Sequence, residues 1–243
     1  MCGISGIYSF TDTAESFVPC VEKSIQILRN RGPEVQRVEC KGRVVLAHAR
    51  LAILDTSSAG TQPFTDASGR YTIIYNGEFY NYRDYYAELR ADGVNFTSSS
   101  DTEVLLYLYI KYRQCCLEKI NGFFAFAVYD SVENTLFVAR DRMGIKPLYF
   151  IQTEQFFGFS SELKGILEFP FERKLNNNAL FAYLQFMYVP APMTMVQGVE
   201  KLEPGMSLIV SPNGVERNRY FSLEQSAEKK SRLSYEGGET HLS

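Results

Sequence analysis

The chain contains no tryptophan, only two histidines in 243 residues, and no apolar run near the ~18 residues that a membrane-spanning helix requires. It also has no excess of basic charge: Lys+Arg is 25 against Asp+Glu 28, a net charge of −3, so the stripe expected of a nucleic-acid-binding surface is absent. The five cysteines (Cys2, Cys20, Cys40, Cys115 and Cys116) form no C-x-x-C pair, which argues against a zinc ribbon and a disulfide framework. No basic stretch followed by an apolar core opens the sequence, as a secretory signal would. These absences leave a globular, cytoplasmic protein with neither nucleic acid nor membrane among its partners. The shortage of histidine matters most for chemistry. His241 lies in a polar tail, and His48 sits in the apolar stretch Val44–His48, where a hydrogen-bonded core histidine is the expectation. A nucleophile here is expected to find a base other than imidazole.

What is present is a large apolar content, 45% hydrophobic and 14% aromatic, enough for a sizeable core. Residues 2–8 read as a buried strand. Val21, Ile25 and Leu28 recur at helical spacing before the turn Arg31-Gly32-Pro33. Strands are predicted at 44–48 and 71–75, the second broken by Asn76-Gly77, and a helix at 81–90. Ser100-Asp101-Thr102-Glu103 has the form of a capping box and starts another helix. Four short strands follow at 123–129, 135–139, 147–151 and 156–160, then a helix at 178–187 and a hairpin from 206–210 and 215–221. Grouped strands with helices that do not alternate regularly favour an α+β fold. Tyr80, Tyr82, Tyr85 and Tyr86 read as a packing face, and Cys115-Cys116 as two buried small residues.

Three features could carry chemistry. Removal of Met1 would give Cys2 both a thiol and a free α-amine, which titrates near ~7.7–8.0 and can serve as base at neutral pH; an incidental, inert cysteine after Met1 is the alternative. Asn76 and Gly77 offer a side-chain amide and a backbone N–H that could converge on one oxygen, as a tetrahedral intermediate of acyl transfer needs; an ordinary Asn-Gly hairpin turn is the alternative. Arg50, after a strand, and Asp101, at a helix start, could grip the carboxylate and amine of an amino acid, or be a surface charge and a helix cap.

Together these segments resemble a known family. Met1-Cys2-Gly3-Ile4-Ser5-Gly6 is similar to the start of class II glutamine amidotransferases, which are N-terminal-nucleophile hydrolases. The later blocks resemble the glutaminase domain of glutamine-hydrolysing asparagine synthetases. They are Arg31-Gly32-Pro33-Glu34, with Glu where the family has Asp, then Ala47–Asp55, Gly60–Pro63, Asn76–Asn81, Ser100–Glu103, Asn121–Ala127, Ala139–Tyr149, Ser160–Lys164 and Tyr188–Pro192. The charge-dense Arg140–Lys146 reads by itself as a structural or domain-interface element.

The resemblance implies a four-layer α/β/β/α sandwich of two antiparallel sheets. It implies that Cys2 attacks the side-chain amide of L-glutamine, that Asn76 and the Gly77 N–H form the oxyanion hole, and that Arg50 binds the substrate carboxylate. Asp101 and Glu78 would hold its amine, and backbone groups of Leu51, Ala52, Ile53 and Leu54 would line the pocket. Residues 2–190 would be the glutaminase, 191–221 an extension with a hairpin towards a synthetase domain, and 222–243 a linker or the start of that domain, truncated here. No cofactor or metal is expected in this chain. Mg-ATP is expected in the C-terminal synthetase domain, since no Ser-Gly-Gly-x-Asp-Ser segment occurs here. The family suggests a homodimer. Ammonia would serve to convert aspartate to asparagine; a sugar-acid or peptide acceptor, or a catalytically silent regulatory domain, are the alternatives.

Overall fold

Side chains along the first strand already separate the layers. In β1 (Gly3–Ser9), Ile4 and Tyr8 enter one apolar cluster and Ile7, between them, enters another, following the two-residue period of an extended chain. The computed structural model describes residues 1–51, 60–224 and 226–227. After β1 come α1 (Val18–Ile27), β2 (Val35–Lys41), β3 (Val44–Arg50), β4 (Phe64–Thr65), β5 (Tyr71–Phe79), α2 (Tyr82–Ala91), α3 (Asp101–Tyr112) and α4 (Cys116–Lys119). The second half adds β6 (Gly122–Asp130), β7 (Thr135–Arg140), β8 (Tyr149–Gln152), β9 (Phe156–Ser160), α5 (Leu163–Ile166), α6 (Asn177–Phe186), β10 (Val199–Lys201), β11 (Met206–Ser211) and β12 (Gly214–Arg219).

Among the described residues the strands form two six-stranded antiparallel sheets, ordered β10-β8-β9-β1-β3-β2 and β12-β11-β7-β6-β5-β4. Three apolar clusters give the stacking order. Ile4, Tyr8, Val44 and Leu46 of the first sheet meet Ile74, Ala127 and Val138 of the second. The opposite face of the first sheet, with Ile7, Val45 and Ala47, packs on Val21 and Ile25 of α1 and on Leu28 just after it. The opposite face of the second, with Ile73, Phe126 and Val128, packs on Leu89 of α2 and Val104 and Leu108 of α3. Helix, sheet, sheet, helix is therefore the layer order, the α/β/β/α sandwich expected from the resemblance.

Several local expectations change. Asn76-Gly77 does not end a strand: β5 runs through it, with Asn76 opposite Ala125 and Gly77 opposite Phe124, so pairing with β6 overrides the turn preference of the dipeptide. Half of the capping box forms. Ser100 Oγ accepts from Thr102 N at 3.2 Å, but Glu103 turns to the preceding loop and accepts from the Thr97 and Ser98 N–H groups at 2.9 and 2.7 Å. Only Cys116 of the cysteine pair is buried; Cys115 is exposed. Of the tyrosine face, Tyr82, Tyr85 and Tyr86 pack on the α2/α3 core while Tyr80 is exposed. Within residues 191–221, β10 adds to β8 in one sheet and β11–β12 to β7 in the other, so this stretch completes both sheets.

Candidate active site

Cys2 lies one residue before β1, which is central in its sheet, between β3 and β9. The pairing of Gly3 with Ala49 brings Cys2 alongside the end of β3. There the Leu51 N–H donates to Cys2 Sγ at 3.4 Å, and the thiol donates to the Leu51 carbonyl at 3.6 Å. The Cys2 carbonyl accepts from Arg31 Nε at 2.9 Å, and Arg31 is itself tied to Glu162 at 2.9 Å. The position of the nucleophile is thus fixed from both sides by main-chain contacts. Arg31, from the Arg-Gly-Pro-Glu block, was not among the site residues read from sequence.

Burial pushes the Cys2 thiol up, while the Leu51 contact and the positive charges of the N-terminus, Arg50 and Lys146 pull it back. Met1, half exposed, lines the pocket. While Met1 remains attached, the nitrogen of Cys2 is an amide with no basic lone pair.

The second sheet supplies the facing wall. On β5, Ile74 points into the layer between the sheets, and the two-residue period carries Asn76 and Glu78 to the same side. Asn76 is 1% exposed and its Nδ2 has no hydrogen-bond partner. A buried amide donor left unsatisfied costs roughly 1–3 kcal/mol, so it marks a place where an acceptor belongs.

Gly77 contributes backbone. Opposite it on β6, the Phe124 N–H and C=O are engaged by Asp141 at 3.3 and 2.8 Å, on the side away from β5. Alternation in an antiparallel pair then turns the Gly77 N–H away from β6, towards the edge where Tyr75 N–H donates to Gln62 Oε1 at 2.6 Å. A side chain cannot be added there: a Cβ on Gly77 would lie 2.4 Å from the Tyr75 ring and 2.5 Å from the Phe123 carbonyl.

Asp101 opens α3, yet its carboxylate does more than face the helix dipole. Oδ2 accepts from the Phe79 N–H at 3.1 Å and the Tyr75 hydroxyl at 3.2 Å, which fixes the carboxylate against β5. Burial dominates and raises its pKa to about 6 despite these donors. Gln62 bridges the same elements, since its Nε2 donates to Thr102 Oγ1 at 3.1 Å. Arg50, at the end of β3, donates to Thr61 Oγ1 at 3.2 Å.

His48 lies on the same strand, buried as expected of a core histidine, with its ring next to the Tyr75 main chain, and it lines the pocket. Burial lowers its pKa to about 3, so it is neutral at physiological pH and poor as a base.

Cys2, Arg50, Leu51, Asn76, Gly77, Glu78 and Asp101 line one pocket. Ala52, Ile53 and Leu54 lie outside the described residues. Tyr75, Gln62, Thr102 and Lys146 also line it and were not among the site residues expected from the sequence. Among the described residues, no group of three or more His, Cys, Asp or Glu is placed to hold a metal ion. A nucleophilic sulfur, two donors without a fixed acceptor, and separated cationic and anionic groups suit acyl transfer from an amino acid carrying a side-chain amide.

Residues 1–221 match the family described as the glutamine amidotransferase domain. The chain belongs to this family. It is 37% identical over 228 residues to asparagine synthetase [glutamine-hydrolyzing] 3 of Bacillus subtilis (strain 168), a match covering 92% of this chain and 37% of that protein. It is 34% identical over 236 residues to amidase chry2 of Gibberella zeae, covering 92% of this chain and 35% of that protein. The chain therefore spans about a third of the length of these relatives. In fold, this glutamine amidotransferase domain resembles the glutamine phosphoribosylpyrophosphate amidotransferase of B. subtilis. The TM-score is 0.62 at 21% identity, over 90% of this chain and 49% of that one. None of its described helices is long and apolar enough to cross a membrane.

Proposed function

We propose that this domain hydrolyses L-glutamine to glutamate and ammonia. The observation that carries the reading is the placement of the Cys2 sulfur in one pocket with the unpartnered, buried Asn76 amide. Once Met1 is removed, the thiol proton passes to the α-amine of Cys2 as the sulfur adds to the side-chain amide carbon. Asn76 Nδ2 and the Gly77 N–H hold the oxygen that becomes negative. The α-ammonium returns the proton to the leaving nitrogen, ammonia departs, and water hydrolyses the γ-glutamyl thioester. Arg50 binds the substrate carboxylate, Asp101 and Glu78 its ammonium, and the Leu51 backbone lines the pocket. Incubating the Met1-processed protein with L-glutamine should yield glutamate and ammonia in equal amounts; failure to release either overturns the reading.

Asp101 provides a pH test. Its folded pKa of about 6 lies above the ordinary value of 3.8, so its carboxyl is protonated over part of the weakly acidic range and cannot then pair with an ammonium. kcat/KM is expected to fall as pH drops through about 6, mainly through KM, and Asp101→Asn should remove that limb and raise KM at pH 7.5. The sign for stability is opposite to that of a salt-bridged aspartate. Folding favours the protonated form, so the contribution of this group is greatest at low pH and declines as pH rises from 3.8 through about 6.

We infer further that the ammonia serves ATP-dependent amidation of aspartate to asparagine by a C-terminal synthetase domain, where Mg-ATP is used. The identity to the asparagine synthetase of B. subtilis supports this. So does α6, which buries only Ala179 and exposes Phe181, Leu184 and Phe186, an apolar face suited to a partner domain. Five free cysteines fit a reducing, cytoplasmic setting. A second reading keeps the glutaminase and changes the acceptor, supported by the match to an amidase. Assaying the domain joined to the synthetase domain with aspartate, ATP and glutamine separates them: asparagine supports the first reading, and glutaminase activity without asparagine the second.

A further inference from the structure

The segment Arg140–Lys146 was read from sequence as structural, and for three of its four charged side chains the geometry agrees. Arg140 donates to the carbonyls of Lys146 at 2.8 Å, Gly144 at 2.6 Å and Leu202. The Asp141 carboxylate accepts from the N–H groups of Met143 and Ile145 at 3.0 Å and of Lys146 at 2.9 Å. Arg142 donates to the carbonyls of Ile120 at 2.6 Å and Leu117 at 2.8 Å. Each of these charges is spent on main-chain atoms and clamps the loop. Lys146 differs. Its backbone is held at both N–H and C=O, the residue is only 8% exposed, and it lines the Cys2 pocket. Among the described residues, no carboxylate forms an ion pair with it.

We propose that the Lys146 ammonium is a dedicated electrostatic partner of the Cys2 thiolate, held there by the Arg140–Asp141 clamp. The proposal rests on the glutaminase reading above and deepens it. Arg31 spends its charge on the Cys2 carbonyl and Glu162. On β3, Arg50 faces the pocket but is assigned to the substrate carboxylate, and His48 is neutral. On β5 and α3, Tyr75 stays an uncharged phenol, while Glu78 and Asp101 are acidic and oppose a thiolate. The α-amine of Cys2 must be uncharged to accept the thiol proton. During attack, then, Lys146 is the cation with no other assignment among the described pocket residues. A cation close to a buried thiol favours the charged sulfur over the neutral one.

The test is the pH profile of Cys2 alkylation by iodoacetamide in the Met1-processed protein, read by mass spectrometry of the N-terminal peptide so that Cys20, Cys40 and Cys115 do not interfere. Lys146→Met is expected to raise the midpoint by about one pH unit and to slow alkylation at pH 7 about tenfold. Lys146→Arg should restore most of the rate, and kcat/KM should follow the same order with KM little changed. An unshifted profile in Lys146→Met overturns the proposal. If that variant does not melt cooperatively, Lys146→Gln gives the same comparison. Alkylation requires no glutamine, so a failure here is distinct from a failure of glutamine hydrolysis.

Discussion

Replacing Cys2 with alanine is expected to lower the rate of glutamine hydrolysis by at least about 10⁴, with the melting temperature almost unchanged. The size follows from the lack of any substitute. Cys20, Cys40, Cys115 and Cys116 do not line the pocket, and burial pushes the Cys20 thiol up to about 11 and the Cys116 thiol higher still. His48 could be imagined as a nucleophile or as a base for water. Burial holds it neutral, however, and a pKa of about 3 makes it a weak base. Alanine therefore removes the only group able to form the thioester while leaving β1 and its partners intact. The check is a glutamate-release assay alongside a thermal melt. Alanine protein that retains more than about one hundredth of the parental rate would sink the covalent mechanism.

Asn76→Ala should reduce kcat by about 10²–10³ with a small change in KM, the loss expected when one of two oxyanion donors is removed. The second half of this expectation is less ordinary. A buried asparagine whose amide is hydrogen-bonded usually costs stability when replaced, because its partner is left behind unsatisfied. Here Nδ2 has no partner, so nothing is orphaned by its loss. The alanine variant should be as stable as the parent to within about 1 kcal/mol, or slightly more stable, while losing most of its activity. Kinetics and denaturant unfolding on the same preparation check both halves. A large fall in stability would show that Asn76 is a structural residue, and an unchanged kcat that it takes no part in the reaction.

How far the sequence disclosed this site depends on the kind of contact. Cys2, Asn76, Gly77, Arg50 and Asp101 could be picked out as candidates because their chemistry belongs to the residue type (a thiol beside an α-amine, paired donors, opposite charges), and it was the family resemblance that drew them into one site. Gln62, Tyr75 and Arg31 could not, because their roles arise from tertiary packing. Gln62 matters by joining the Tyr75 N–H to Thr102, and Arg31 by reaching a carbonyl 29 residues away. No local pattern announces such contacts.

The same holds for the fold. Strands with alternating or continuous apolar residues could be read, whereas β2, with the sequence Val-Gln-Arg-Val-Glu-Cys-Lys, was missed. It is an edge strand with little buried surface, and its polar side chains carry no core signal. The interruption expected at Asn76-Gly77 failed for the converse reason: nine consecutive pairs with β6 outweigh a two-residue turn preference.

The burial of the pocket charges also bears on ionic strength. Arg50, Asp101 and Lys146 are 7, 6 and 8% exposed. Dissolved ions screen surface charges separated by more than the Debye length, about 10 Å at 0.1 M salt, and act far less on charges enclosed by protein. With a net charge of only −3, the molecule has little long-range field to attract or repel a zwitterion on approach. Recognition of the substrate is accordingly expected to be nearly independent of salt, with KM changing less than about twofold between 0.05 and 0.5 M potassium chloride.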